Sequence, residues 1–333
     1  MCVLGTGSKR RARFNWTDAK SAGYFASVKW IRNRLLLVLL AAIAPGVFAE
    51  TKPADRKAAV EREFRELLAL DDRLHVEVDK WIRDNAELAE SNAGVPAESL
   101  GEQVRIRLKE VEDAYVKFVA KHPKHIEARL AFGSYYSGLG EADKAIGQWV
   151  EARDLDAKNS VPWNNLGKAY GQKGNVSESI RHFTKASDLA PKQALYYRNL
   201  AAMLFAYPDQ AARYYLIERS HVLPKVFSLF EQARKLDPKN FPLAADAAMA
   251  YLATQPLQAD DAITAWNEAL ALAPDERSKA GVRIHLARIH AHIGKAKAAR
   301  DILAEIKEPK FAALKAEILK KLDAKPAPTP AKP

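Results

Sequence analysis

A pattern that returns after thirty-four residues constrains this chain more than any other feature of its 333 residues. Trp163, Leu166, Gly167, Tyr170, Gly174, Ser179, Phe183, Ala186 and Pro191 form one instance. One period earlier the same frame holds Phe132, Gly133, Tyr136, Gly140, Ala145, Trp149 and Ala152. Self-similarity at such a period marks a stacked array rather than one closed core. Within each unit apolar residues recur at three- and four-residue steps, which predicts pairs of amphipathic helices. Gly140 and Gly174 fall at the inter-helix turn, where a left-handed backbone is needed, and Pro191, Pro238 and Pro274 end second helices. No unit this short buries its apolar face alone, so neighbours must stack, leaving a concave side.

These residues resemble the tetratricopeptide repeat (TPR) family, whose pattern is W-x2-L-G-x2-Y followed by A, F, A and P. Ser179 stands where the family prefers Ala. Repeats at about 126–159 and 160–193 are followed by weaker copies. Residues 194–240 hold Tyr197, Leu200, Ala201, Val226, Phe230, Ala233 and Pro238, with about thirteen extra residues between the helices. Residues 241–276 hold Tyr251, Ala262, Trp266, Ala269 and Pro274, and residues 280–313 hold Leu286, Ala287, His290, Gly294, Ala299, Leu303 and Ile306. The resemblance implies an all-α fold, an α-solenoid wound as a right-handed superhelix of helix-turn-helix repeats with capping helices at both ends. Residues 50–125 are read as an N-terminal helical cap with a degenerate first repeat (Val111, Tyr115, Phe118, Pro123), and 126–313 as the solenoid. Residues 314–323 are read as the C-terminal capping helix and 324–333 as a disordered Pro/Ala/Lys tail. A long amphipathic helix is expected over 54–90, with a break or turn at Asp71, which interrupts the apolar stripe.

Residues 35–44 read LLLVLLAAIA, preceded by Lys29, Arg32 and Arg34 and followed by Val47-Phe48-Ala49. A positive flank, a short apolar stretch and a small-x-small exit make a secretory signal peptide cleaved after Ala49. The apolar run is shorter than the ~20 residues a spanning helix needs. The basic stretch before Val28 exceeds an ordinary signal's, so translation is expected to start at Val28. Net charge is +11 over the chain, yet residues 1–49 hold eight lysines and arginines against Asp18 alone. Removing them leaves +4, too little for a nucleic-acid-binding field. One cysteine, Cys2, excludes a disulfide framework. The expected location is the periplasm or outside the cell, in a bacterial envelope.

Catalytic patterns are missing: there is no G-x-S-x-G, no H-E-x-x-H and no complete Walker sequence. Gly167-Lys168 is followed by Ala169 inside a helical pattern, and Gly5-Thr6-Gly7-Ser8-Lys9 has no strand before it. His285 and His292 share a helix face but stand seven residues, about 10 Å, apart, too far to hold one metal ion. His290 takes the frame's tyrosine position, and His122 and His125 flank Pro123 in a turn. Trp149, Trp163 and Trp266 take core positions of the frame. No enzyme activity, cofactor or metal is expected.

In the TPR family six positions of the first helix line a groove for an extended peptide. The resemblance places Ser134 and Ser137, then Asn164, Asn165, Lys168 and Gln172, then Arg198 and Asn199 there. Asn side chains grip a peptide backbone through paired donor and acceptor, and Lys168 and Arg198 suit carboxylates. Leu130 and Ser134 stand where a carboxylate clamp would have Lys and Asn, which weakens that comparison. Met249, Leu252, Ile284 and Ala291 are expected to make the groove apolar toward its C-terminal end. The insert 206–224, with Tyr214, Tyr215 and Leu216, either pads an enlarged turn or forms a separate contact patch. The expected function is an exported scaffold or adaptor for a protein or peptide partner. The rival expectation is a structural subunit of an envelope complex that uses the convex face or the insert.

Overall fold

The computed structural model describes residues 53–323, so the expectations for the signal segment 1–49 and the tail 324–333 lie outside the described residues. Among the described residues the regular elements are α-helices and two short 3-10 turns. The chain divides into two compact units, one up to Ala169 and one from Tyr170 onward.

The N-terminal unit opens with α1 (Pro53–Glu90) and α2 (Ala97–Lys121). Phe64, Leu67, Leu74 and Val78 lie at heptad steps along α1 and are all buried. Asp71 falls on the same stripe, yet α1 runs through it without the expected break and Asp71 is 3% exposed. The reason lies across the hairpin, where Tyr115 donates its hydroxyl to Asp71 Oδ2 at 2.7 Å. His75 Nδ1 sits 2.8 Å from the other carboxylate oxygen. A buried carboxylate is tolerable only with such partners. Burial alone would pull the His75 pKa down, but the Asp71 hydrogen bond and charge reverse this and raise it. The loop between the helices is tied by Asn85, which accepts from the Val95 amide at 2.7 Å and donates to its carbonyl at 3.2 Å.

Next come α3 (Ile126–Gly138) and α4 (Ala142–Leu155), then α5 (Ser160–Gln172), within which the division of the chain falls. Gly140, at φ +81°, makes the α3–α4 turn as the sequence requires. Trp149 lies against the backbone at Gly133 and donates Nε1–H to the Leu130 carbonyl at 3.2 Å. Tyr115 stacks on Phe132 at 4.9 Å, joining α2 to α3.

The C-terminal unit continues with α6 (Val176–Leu189), α7 (Ala194–Ala206), α8 (Pro208–Tyr215) and α9 (Val222–Leu236). It then has α10 (Phe241–Tyr251), α11 (Ala259–Leu272), α12 (Glu276–His292), α13 (Ala296–Ala304) and α14 (Ala312–Asp323). The closest packing is within hairpins, α7 with α9, α10 with α11 and α12 with α13, and successive hairpins stack. The insert is folded: α8 sets Ala211 and Ala212 into the core shared with Phe183, Leu204, Val226 and Phe230. Helix α12 starts four residues before the repeat frame because Asp275 caps it, accepting from the Ser278 amide at 2.7 Å. Ile284, expected on the groove, is instead buried with Ala287, Leu303, Ile306 and Ile318. Helix α14 covers that side of α12, so this stretch of the expected apolar groove is core.

Candidate functional site

The frame's groove residues fall on both units, and each face is built separately. Ser134, Asn164, Asn165 and Lys168 belong to the N-terminal unit; Gln172, Arg198 and Asn199 belong to the C-terminal one.

On α3, Ser134 donates its hydroxyl to the Leu130 carbonyl of the preceding turn at 3.0 Å. That leaves only its oxygen lone pairs for a ligand. On α5, Asn164 is 9% exposed, and its amide reaches Asn165 Oδ1 at a long 3.5 Å. Lys168, one turn on, is half-buried, and burial lowers its pKa from the usual lysine value. Among the described residues Lys168 has no acidic partner. A cation drawn partly out of water without a counter-charge costs free energy that an arriving anion would recover. Trp163 sits beside this face but is committed to the fold, donating Nε1–H to the Ala157 carbonyl at 3.1 Å. The Arg153 guanidinium lies over its ring at 5.5 Å.

On the C-terminal unit, Arg198 of α7 is already paired: its Nε donates to Asp246 Oδ2 of α10 at 2.6 Å. Burial raises the Asp246 pKa, and the Arg198 charge and hydrogen bond offset this only in part. A carboxylate arriving at Arg198 therefore has to compete with one that is built in. Asp246 was legible in the sequence: it takes in its repeat the frame position that Asn199 takes one repeat earlier. Asn199 is half-buried and engaged within the fold, and Gln172 is exposed.

The histidines hold no metal cluster among the described residues. His285 stacks on Trp266 at 4.2 Å with an interplanar angle of 6°. Burial, with the nearby Arg288 charge, pulls its pKa down to about 4. His122 sits 3.2 Å from Glu63, and His125 caps α3 by accepting from the Ala128 amide at 3.1 Å.

The family model described as Tetratricopeptide repeat matches residues 162–193. Superkiller complex protein 3 of Homo sapiens is 32% identical over 93 residues, 27% of this chain and 6% of that protein. Its Mus musculus counterpart is 31% identical over 93 residues, so the chain spans about 6% of the length of these curated relatives. Among solved structures, pilF of Pseudomonas aeruginosa aligns over 74% of this chain and 98% of its own, at 13% identity and a TM-score of 0.51. YrrB, a TPR protein with an unusual peptide-binding site, aligns over 62% of this chain and 98% of its own, at 15% identity and a TM-score of 0.47. Likeness at such identities speaks to fold alone. The fold class is an α-solenoid of tetratricopeptide hairpins.

Proposed function

We propose that this chain, an α-solenoid of tetratricopeptide hairpins, is a non-catalytic scaffold that holds a protein or peptide segment in a bacterial envelope. A solenoid of such hairpins supports protein–protein interaction. The observation that carries the peptide reading is Lys168, partly desolvated and without an acidic partner beside the amides of Asn164 and Asn165. The half-buried Asn165 amide suits a peptide backbone, and the ammonium suits a carboxylate. Arg198 contributes only when Asp246 is displaced. The envelope assignment rests on the apolar run and small-x-small exit of residues 35–49.

Crosslinking in the periplasmic fraction, followed by purification of the captured chain, identifies the partner. Lys168→Ala then weakens that partner by about tenfold, the worth of one charge-assisted hydrogen bond. It also flattens the salt dependence of binding. Unchanged affinity removes Lys168 from the site.

One observation favours the rival reading through the insert. Leu216 is 92% exposed and holds a left-handed backbone at φ +53° directly after α8. Leu216→Asp then abolishes capture while Lys168→Ala leaves it intact.

A further inference from the structure

Two open clefts in the C-terminal unit share one wall. One, of about 350 Å³, lies between Leu252 and Leu257 of the α10–α11 turn and Ile289 of α12. The other, of about 250 Å³, lies between Ala291 of α12 and Ile318 and Leu322 of α14. Arg288 and His292 line both. The frame of the cleft is firm. Thr254 donates its hydroxyl to the Tyr251 carbonyl at 2.8 Å and accepts from the Gln258 amide at 2.9 Å, holding the turn. On the far side Ile318 is 5% exposed, anchored in the terminal core.

The shared wall carries a cation without an ion pair. Arg288 is exposed and makes no ion pair among the described residues. The acid that lines the second cleft, Glu317, is engaged with Lys321 at 2.6 Å on the same rim. From Glu276 to Asp323 the chain carries twelve lysines and arginines against six acids. Apolar side chains flank this guanidinium, while Lys321 and Glu317 on the second cleft's rim pair with each other. This complements an anion flanked by apolar groups, because the free charge selects the anion and the clefts desolvate its neighbours.

We propose that this double cleft takes a segment of another protein that presents an acidic side chain between two apolar ones, the carboxylate on Arg288 and one apolar side chain in each cleft. The proposal rests on the scaffold reading but places the contact on α12, the α10–α11 turn and α14, with no part for Lys168.

The test selects random dodecapeptides displayed on phage against the full chain, in parallel with Arg288→Glu and Lys168→Ala. Wild type is expected to enrich sequences with an acid flanked by apolar residues. Synthetic peptides of those sequences should lose at least tenfold in affinity to Arg288→Glu and recover when their acid is replaced by lysine. Circular dichroism of Arg288→Glu should match wild type, since the side chain is exposed. Enriched peptides without an acid, or affinities indifferent to Arg288→Glu, overturn the proposal. Peptides lost to Lys168→Ala but not to Arg288→Glu overturn it while leaving the scaffold reading standing, and selections that enrich nothing sink both. A self-association in sedimentation that Arg288→Glu abolishes would assign the clefts to a second copy of the chain, also against the proposal.

Discussion

At the scale of single residues, two helical glycines look alike in sequence and differ in consequence. A Cβ placed at Gly133 would meet Trp149 Nε1 at 2.3 Å and Cε2 at 2.8 Å. That ring is 3% exposed and held by its bond to Leu130, so it cannot move aside cheaply. Gly133→Ala gains about 1 kcal/mol of helix propensity but loses about 1–3 kcal/mol to overpacking, so net destabilisation in urea unfolding is expected. At Gly171 the Cβ would meet Met203 Cε at 2.4 Å, the far end of a flexible though buried side chain, and Ser179 Oγ at 3.1 Å. Gly171→Ala should cost less than Gly133→Ala, because Met203 can swing its end aside; equal costs at the two sites would show that the Trp149 ring is not rigidly held. His285 sets a pH dependence. Its folded pKa, pulled down to about 4, lies below the unfolded value near 6.5, so the unfolded chain takes up the proton first. The contribution is present above pH 6.5 and is lost as pH falls toward 4, on the order of 3 kcal/mol in the limit. His285→Phe keeps the stack on Trp266 and should remove that part of the slope in unfolding measured from pH 7 to pH 4.5. An unaltered slope would assign it to other groups.

At the scale of elements, the helices were legible because each buries a stripe whose period is written locally, and the turn glycines mark where each hairpin reverses. Asp71 was misread as a break because its justification, the Tyr115 hydroxyl, comes from 44 residues away. Arg198 looked open because Asp246 is 48 residues on, in another helix, and only the repeat frame, not local spacing, aligns the two. Ile284 sits at a groove position of the frame, but the covering helix α14 is no part of a repeat, so the frame could not announce it. That dependence is itself testable. Ile318 joins α14 to Ile284, Leu303 and Ile306, and Ile318→Ala should cost about 2–5 kcal/mol by leaving a cavity in this terminal core. Hydrogen exchange should quicken in α12 and α13 while α3 and α4 keep their protection, because a stacked array loses stability hairpin by hairpin. Uniform loss of protection across α3, α4, α12 and α13 would show that the array unfolds as one cooperative block.

At the scale of the whole molecule, the net charge of +11 is a sum of unlike parts. Residues 50–275 hold 30 lysines and arginines against 34 acids, while residues 276–323 hold twelve against six. The largest single block is the +7 of residues 1–49, ahead of the proposed cleavage point. If that segment is removed on export, the working protein has little long-range attraction for polyanions, and its positive field is concentrated around Arg288 and α14. N-terminal sequencing of the chain recovered from cells should therefore start at Glu50, and Ala49→Pro should block processing by spoiling the small residue at the exit. The processed chain should leave a heparin column at low salt and the unprocessed Ala49→Pro chain later, since even a start at Val28 keeps Lys29, Arg32 and Arg34. Peptides from residues 1–20 in the recovered protein would overturn the cleavage. They would restore the basic leader to the working molecule, and with it a polyanion among the partners to be considered.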